Sequence, residues 1–374
     1  LLEISSSNTA TATNGRRISR SLKQTDMTHS EKLPDKITSL FSVIVICYNQ
    51  ELTIAKALDS VLRQKCDHLF EIIIGDDSSS DSTRKICEQY AEQYPDIITL
   101  LPEECNLGLV RNYFRCLKAC RGEYITDCAG DDEWIGDSRL SDAARLFAEY
   151  PEANVVYSDF IINDIEKNIR YNAYSRLPYL RWNRSEIKGE ELLPDVLNHV
   201  NALPYVLSAA VYRKECVEKI LNESPDMICN PSFGCEDVPI MAALASCGSA
   251  VFNPEVRFLY NIVDGSISNS SNPIKSARFY LKSLRTSRIL SAYYHLPQSR
   301  LKEMFEAKTL YLSATAFDTN DNGFLQELKK ELREWSLTPT KKTRLYLTLT
   351  QYPILNKIAY SIKALTKRLP PIPQ

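Results

Sequence analysis

Phe41-Ser42-Val43-Ile44-Val45-Ile46-Cys47 is a continuous apolar run rich in β-branched residues. A strand buried on both faces of a parallel sheet has this character, because helices cover both sides of it. The segments that follow fit that setting. Glu51–Gln64 places Leu52, Ala55, Leu58 and Leu62 at helical spacing. Phe70–Ile74 is a second such strand and runs into Gly75-Asp76-Asp77. A helix is predicted from Asp81 to Tyr94, a third strand over Ile97–Leu101 and a helix over Leu109–Cys120. Tyr124–Asp127 is a short fourth strand leading to Gly130-Asp131-Asp132. Strand and helix alternating in this way predict an α/β fold with a mostly parallel sheet flanked by helices. Ligands of such sheets bind beyond the carboxyl ends of the strands. Two separate strand ends here carry paired carboxylates.

Further along, Val155–Ile162, Tyr205–Tyr212, Ala250–Phe252 and Val256–Asn261 are expected strands, and Asp237–Ser246 an expected helix. Lys167–Asn201 is aromatic and shows no clean period. From Ala277 the pattern is helical, with breaks near Pro297, Asn320 and Pro339. The last expected helix, Ile354–Arg368, is opened by Pro353. On a helical wheel Ile354, Leu355, Ile358, Ala359, Ile362 and Leu365 share an arc of ~140°, with Lys357, Lys363, Lys367 and Arg368 outside it. That is the pattern of an interfacial amphipathic helix. A helix packed on the domain with its basic side in water is the alternative.

The chain has 374 residues, 44% hydrophobic and 25% charged, which excludes collagen-like, coiled-coil and wholly disordered classes. Its 45 basic and 47 acidic residues give a net charge of −2, so no global basic field invites nucleic acid. The charge is unevenly placed. After Glu334 there is no acid, while Lys341, Lys342, Arg344, Lys357, Lys363, Lys367 and Arg368 give the tail +7 and leave −9 on the residues before it. Eleven cysteines without a CxxC pair suggest reduced thiols rather than a disulfide framework. No run approaches the ~18–20 apolar residues of a membrane span. These features point to a cytoplasmic protein, peripheral at the inner face of the membrane if the tail binds lipid. Residues 1–40 are expected to be a disordered or over-called extension. Residues 41–270 would form the catalytic domain, with halves at 41–135 and 136–270, and residues 271–374 a helical region ending in the basic tail.

Two carboxylates side by side at a strand end repel each other unless something neutralises them. A divalent cation such as Mg²⁺ or Mn²⁺ suits hard oxygen ligands and can offset a leaving diphosphate. Turn and helix-cap aspartates are the plain structural alternative. A third acidic pair, Glu236-Asp237, opens the helix at 237. It is either an N-cap or a general base facing the cleft.

The motifs then resemble a known family. Ser42-Val43-Ile44-Val45-Ile46-Cys47-Tyr48-Asn49 and Ala57-Leu58-Asp59-Ser60-Val61-Leu62-Arg63-Gln64 are similar to the start of a family 2 glycosyltransferase with the GT-A fold. Ile74-Gly75-Asp76-Asp77-Ser78-Ser79 resembles its nucleotide-binding turn, and Gly130-Asp131-Asp132-Glu133-Trp134 its metal-binding segment. Glu236-Asp237 resembles its catalytic-base motif and Gly265-Ser266-Ile267-Ser268 its closing segment. The resemblance implies inverting transfer from a nucleotide sugar, with UDP the expected nucleotide, to a saccharide or lipid-linked acceptor in cell-surface polysaccharide or glycolipid synthesis. It places Tyr48, Asp76, Asp77 and Arg111 at the nucleotide, with Asp131. It gives Asp131 and Asp132 the metal, and Asp237 the acceptor proton with Glu236 in support. Trp134 is either a wall of the sugar pocket or core.

Three positions depart from the family pattern. Ala129 stands where the first metal-motif acid is usual, with Asp127 a weaker substitute. Asn261 and Val263 replace a common Arg and His of the closing segment, leaving Arg257 as a candidate diphosphate contact. Ile46 stands where Thr is frequent. A catalytically degenerate sugar-nucleotide-binding or scaffold protein on the same fold is the alternative. A nucleotidyltransferase is disfavoured because Tyr48-Asn49-Gln50-Glu51 is no Gly- and Lys-rich phosphate loop. A dehydrogenase is disfavoured because no G-x-G-x-x-G follows the first strand.

Overall fold

The computed structural model describes residues 40–103, 105–176, 179–198, 204–262 and 272–368. The expected extension over residues 1–39 and the closing segment Gly265–Ser268 lie outside them. In chain order the first half runs β1 (Phe41–Cys47), α1 (Ile54–Leu62), β2 (Phe70–Asp76), α2 (Thr83–Gln93), β3 (Ile98–Leu100), α3 (Leu109–Ala119), β4 (Tyr124–Asp127), β5 (Glu133–Trp134) and α4 (Arg139–Glu149). Then come β6 (Ala153–Asp164), β7 (Ile169–Asn172), β8 (Glu186–Ile187), α5 (Gly189–Leu197), β9 (Ala210–Arg213), α6 (Lys214–Glu223), α7 (Asp237–Cys247) and β10 (Ser249–Ile262). Five helices close the chain: α8 (Pro273–Tyr293), α9 (Ser299–Thr319), α10 (Asn322–Glu334), α11 (Lys341–Gln351) and α12 (Pro353–Arg368).

The expected α/β architecture is present. One sheet has the order β3-β2-β1-β4-β9-β6-β10-β5, with β7 on β6 and β8 on β10. β1 is its centre: it pairs in parallel with β2 along its whole length and with β4 on the other side. Val43, Ile44 and Val45 are fully buried, as a strand covered on both faces requires. β9 runs antiparallel between β4 and β6, and β6 and β10 then form a long parallel pair. The parallel strands β1, β2 and β4 therefore end on one edge, where Cys47 lies opposite Asp76.

Three elements differ from the pattern reading. The two short strands expected at 250–252 and 256–261 are one strand, β10, whose register shifts between Asn253 and Val256. Pro254 has no N–H to give the ladder, so the chain bulges there and resumes. The strand expected from Tyr205 begins only at Ala210; Leu207–Ala209 is a 3-10 turn, and Tyr205 stacks its ring on Tyr157 at 4.9 Å instead. Within the stretch that showed no period, Gly189–Leu197 is a helix despite Pro194, which argues against one. Leu192, Val196 and Leu197 are its buried side, and it packs against α7.

Two hydrophobic clusters result. The larger surrounds the sheet, and the smaller lies among α8, α9, α10 and α11, centred on Leu281, Phe305, Leu312, Leu325 and Leu328. Helix α8 joins them: Leu281 and Leu284 belong to the smaller cluster and Leu290 to the larger. Glu331, almost fully buried between these helices, accepts a 2.5 Å bond from Arg285 Nε. Among the described residues, no helix is long and apolar enough to cross a membrane. Leu328→Ala leaves a cavity in the smaller cluster. Urea denaturation should show a loss of about 2–5 kcal/mol.

Candidate active site

The β1 edge is extended past the end of β4. Cys128 N donates to Ile44 O and Gly130 N to Ile46 O, both at 3.0 Å, so the chain after β4 keeps following β1. This carries Asp131 and Asp132 to the end of β1, four and five residues beyond Asp127. Gly130 is required by the close approach: a Cβ there would collide with the Gln50 side-chain oxygen and come within 2.9 Å of Cys47 Cβ.

Next to it, three loops are tied together by short polar side chains. Asn49 and Ser78, just past β1 and β2, both adopt left-handed backbone, with φ of 53° and 64°. Such conformations in residues other than glycine persist where the surroundings hold them. Here Asn49 N donates to Ser79 Oγ at 2.9 Å, and Ser80 N returns a 2.8 Å bond to Asn49 Oδ1. Asp76, the last residue of β2, accepts from Ser79 through both its backbone N–H and its hydroxyl. Asp77 accepts from Leu107 N at 2.7 Å and Gly108 N at 3.0 Å, fixing the turn before α3. Both aspartates are buried. Tyr48 is 50% exposed at the mouth of this edge. Arg111, exposed in the first turn of α3, acts through its charge on Cys229, in the loop leading to α7.

Acids from both halves have Asp127 as a neighbour. Burial pushes the Asp127 carboxyl up to about 6, against the opposing pull of Ser208, Arg139 and Tyr113. Burial also raises Asp132 well above the usual carboxylate range, with the charges of Asp131 and Asp127 adding to it. Asp131 is raised by burial as well. At the start of α7, burial and the neighbouring Asp237 push Glu236 well up, and burial with Asp127 brings Asp237 to about 7. Asp127 thus acts on both the Asp131-Asp132 loop and the Glu236-Asp237 helix start. Glu236 occupies the N-cap position, yet its side chain makes no cap bond. Its Oε2, like Oδ1 of Asp127, is buried without a hydrogen-bond partner among the described residues.

A cation can be tested against this arrangement. Among the described residues no three His, Cys, Asp or Glu side chains converge as a self-sufficient metal site. Asp131 and Asp132 are, however, a pair of hard oxygen donors whose carboxyls are raised by burial, that of Asp132 also by Asp131. Mg²⁺ takes one or two carboxylates from a protein and completes its shell with water and substrate phosphate. The pair fits that demand.

Pattern reading missed or misplaced several residues. Asn261, noted only as a departure, clamps the acidic loop: its N donates to Asp132 Oδ1 at 2.9 Å and its Nδ2 to Asp131 O at 2.8 Å. Asn163 Nδ2 in turn holds Asn261 Oδ1 at 2.7 Å. Arg139 is buried beneath Asp127, with Nη2 donating to Thr126 Oγ1, Ser208 O and Ala210 O. Trp134 belongs to the core: it is fully buried, donates to Asp127 O at 3.1 Å and carries the Arg139 guanidinium 4.5 Å above its ring. Arg257 is committed elsewhere, to Asp142 at 2.7 Å and to Glu255. An asparagine clamp has no spacing signature, and a buried Arg inside a helix looks like any surface Arg in sequence.

The raised Asp237 carboxyl has a pH consequence with a definite sign. Its value moves from an ordinary 3.8 to about 7 on folding, so the unfolded chain releases this proton first as pH rises. The folded state keeps its advantage below about pH 4 and loses it as pH climbs towards 7. Asp237→Asn should therefore gain thermal stability over the wild type at pH 8 and little at pH 4, measured as Tm across that range.

Comparison with known proteins agrees with this fold. Residues 42–221 match the family model described as Glycosyl transferase family 2. An uncharacterized protein of Mycobacterium tuberculosis is 33% identical over 166 residues, 44% of this chain and 46% of its own length. The putative glycosyltransferase EpsE of Bacillus subtilis is 40% identical over 91 residues, 24% of this chain and 32% of its own. The chain thus spans less than half the length of these relatives. The crystal structure of S. aureus TarS 1-349 with UDP-GlcNAc superposes with a TM-score of 0.52 at 17% identity, covering 86% of this chain and 89% of that one. That likeness shows a shared GT-A fold. β1 from Ser42 on, β2 to β4, their acidic ends and the antiparallel β9 all lie inside residues 42–221, the segment that matches the glycosyl transferase family 2 model.

Proposed function

We propose that the chain is an inverting, metal-dependent glycosyltransferase. It moves a sugar from a nucleotide-sugar donor to an acceptor hydroxyl in the synthesis of a cell-surface polysaccharide, such as a lipopolysaccharide or capsule, or of a glycolipid. One observation carries the reading: the Asp131-Asp132 loop and the Glu236-Asp237 helix start, more than a hundred residues apart, share Asp127 as a charged neighbour. This supports a leaving-group site and a base sharing one locus.

Inverting displacement at an anomeric carbon needs a base on the attacking side and a stabilised leaving group on the other. Asp237 takes the proton of the acceptor hydroxyl as its oxygen bonds to the anomeric carbon. The bond from that carbon to the diphosphate oxygen breaks, and the nucleoside diphosphate departs. A base near 7 matches neutral working conditions. Glu236 sits beside it, and its raised carboxyl leaves it able to donate to the acceptor or to Asp237. Asp131 and Asp132 would hold Mg²⁺ or Mn²⁺, which supplies Lewis-acid neutralisation of the diphosphate when bound. Tyr48, with its half-exposed ring, and Arg111 flank the nucleotide, whose turn Asp76 and Asp77 keep in shape. UDP is the first nucleotide to test, because TarS, of similar fold, was crystallised with UDP-GlcNAc. Ala129 favours a second reading, a sugar-nucleotide-binding protein without turnover, since it removes an acid from the metal loop.

Melting temperature with UDP, GDP, CDP or dTDP near ~1 mM, with and without Mn²⁺, tests the donor site, because a ligand of the folded state must raise it. UDP should give a rise that Mn²⁺ enlarges and that Asp131→Ala removes. No rise with any of the four would remove support for the donor site. Asp237→Asn should keep the UDP response and lower kcat by about 100-fold or more. Sugar turnover that survives that substitution would refute the base assignment. Turnover absent from the wild type with intact binding would favour the second reading.

A further inference from the structure

The last helix is amphipathic in the reverse of the usual sense. Among its described side chains, Asn356 is almost fully buried and donates to Phe317 O of α9 at 3.0 Å. Tyr360, on the same side, lies 6.3 Å from the Phe317 ring. The apolar arc points away. Ile354 is 76% exposed, Leu355 47%, Ile358 55% and Ile362 57%. A helix that merely packs on a domain buries its apolar stripe and shows its polar side to water. Here a large apolar stripe is left in water on a helix held by an asparagine, which implies a further partner.

Charge identifies that partner. From Trp335 to the end of the chain there are seven basic residues and no acid. Lys357 is exposed within the described part of α12, and Lys341, Lys342 and Arg344 are exposed on α11, which packs against it. Self-association through this face would bring two such basic tails together. An anionic lipid surface instead accepts apolar side chains into its acyl boundary while its headgroups meet the lysines. We propose that the outward face of α12, supported by the basic residues of α11, is a docking surface for an anionic lipid bilayer. This surface is separate from the sugar-transfer site and does not depend on how that site is assigned.

The test uses the full chain and vesicles of phosphatidylcholine, alone or with a third phosphatidylglycerol. Wild type should float with the anionic vesicles and stay in solution with the neutral ones, and raising NaCl from 0.1 to 0.5 M should weaken the binding. Ile358→Glu/Ile362→Glu should lower the bound fraction by about ten-fold without changing Tm, since both side chains are in water already. Failure of wild type to float with anionic vesicles would overturn the proposal, as would equal flotation of the variant. So would a wild-type dimer or larger species in analytical ultracentrifugation that the same variant converts to monomer, because the face would then belong to a second copy.

Discussion

Everything around the site is arranged to keep several carboxylates together in a place with little water. Two unit charges 4 Å apart repel by about 4 kcal/mol at an effective dielectric of 20. Burial raises all five carboxyls, and in addition Asp131 and Asp127 raise Asp132, Asp237 and Asp127 raise Glu236, and Asp127 raises Asp237. The arrangement survives because its frame is rigid. Asp127 ends a strand bonded on both sides, Asn261 ties the acidic loop to β10, and Arg139 supplies a buried positive charge beneath. Tyr113 and Tyr212, their hydroxyls 3.0 Å apart, close the space beside Asp127. Such a locus favours any ligand that brings positive charge or delivers a proton. A cation with diphosphate and an acceptor hydroxyl between them do both.

The helix that presents Glu236 and Asp237 shows how packing enforces that placement. α7 is apolar on all sides, and its residues from Val238 to Ala245 are buried. It is held by α5, α6, β6, β10 and α8. A helix buried all round has nowhere to tilt. Its N-terminus, with partial positive charge, is therefore fixed where two carboxylates must sit, and that end of the dipole offsets part of their repulsion.

How far the sequence reveals this depends on the kind of signal. The continuous apolar runs of β1 and β2 indicate buried parallel strands, because they are short, rich in β-branched residues and, in β2, bounded by turn residues. The strand-end acids follow from the alternation of strand and helix, and they lie where that alternation places them. What pattern reading misses is set by single three-dimensional partners. Pro194 masks α5, whose stability comes from packing on α7. The Tyr205–Ala209 stretch is as apolar as a strand but turns to stack on Tyr157. Asn261 looks like a lost arginine in sequence and is a clamp in space. Asp127 looks like an ordinary strand residue until the acids on either side of it are seen to face it.

The distribution of charge links the two ends of the molecule. Residues up to Glu334 carry −9 and the remainder +7, so a near-neutral total hides an acidic stretch and a basic tail along the chain. An anionic surface repels the first and attracts the second. Approach to such a surface would then be led by the tail, with the acidic body held off it. The apolar face of α12 acts only at contact, since burial is short-ranged, whereas the lysines act over about 8–10 Å of salt solution. In the proposed docking, basic residues would choose the surface and the isoleucines of α12 would hold it. On the proposed reading, an enzyme working on a lipid-linked acceptor would gain from that order of events, because its acidic body would otherwise be repelled by an anionic surface.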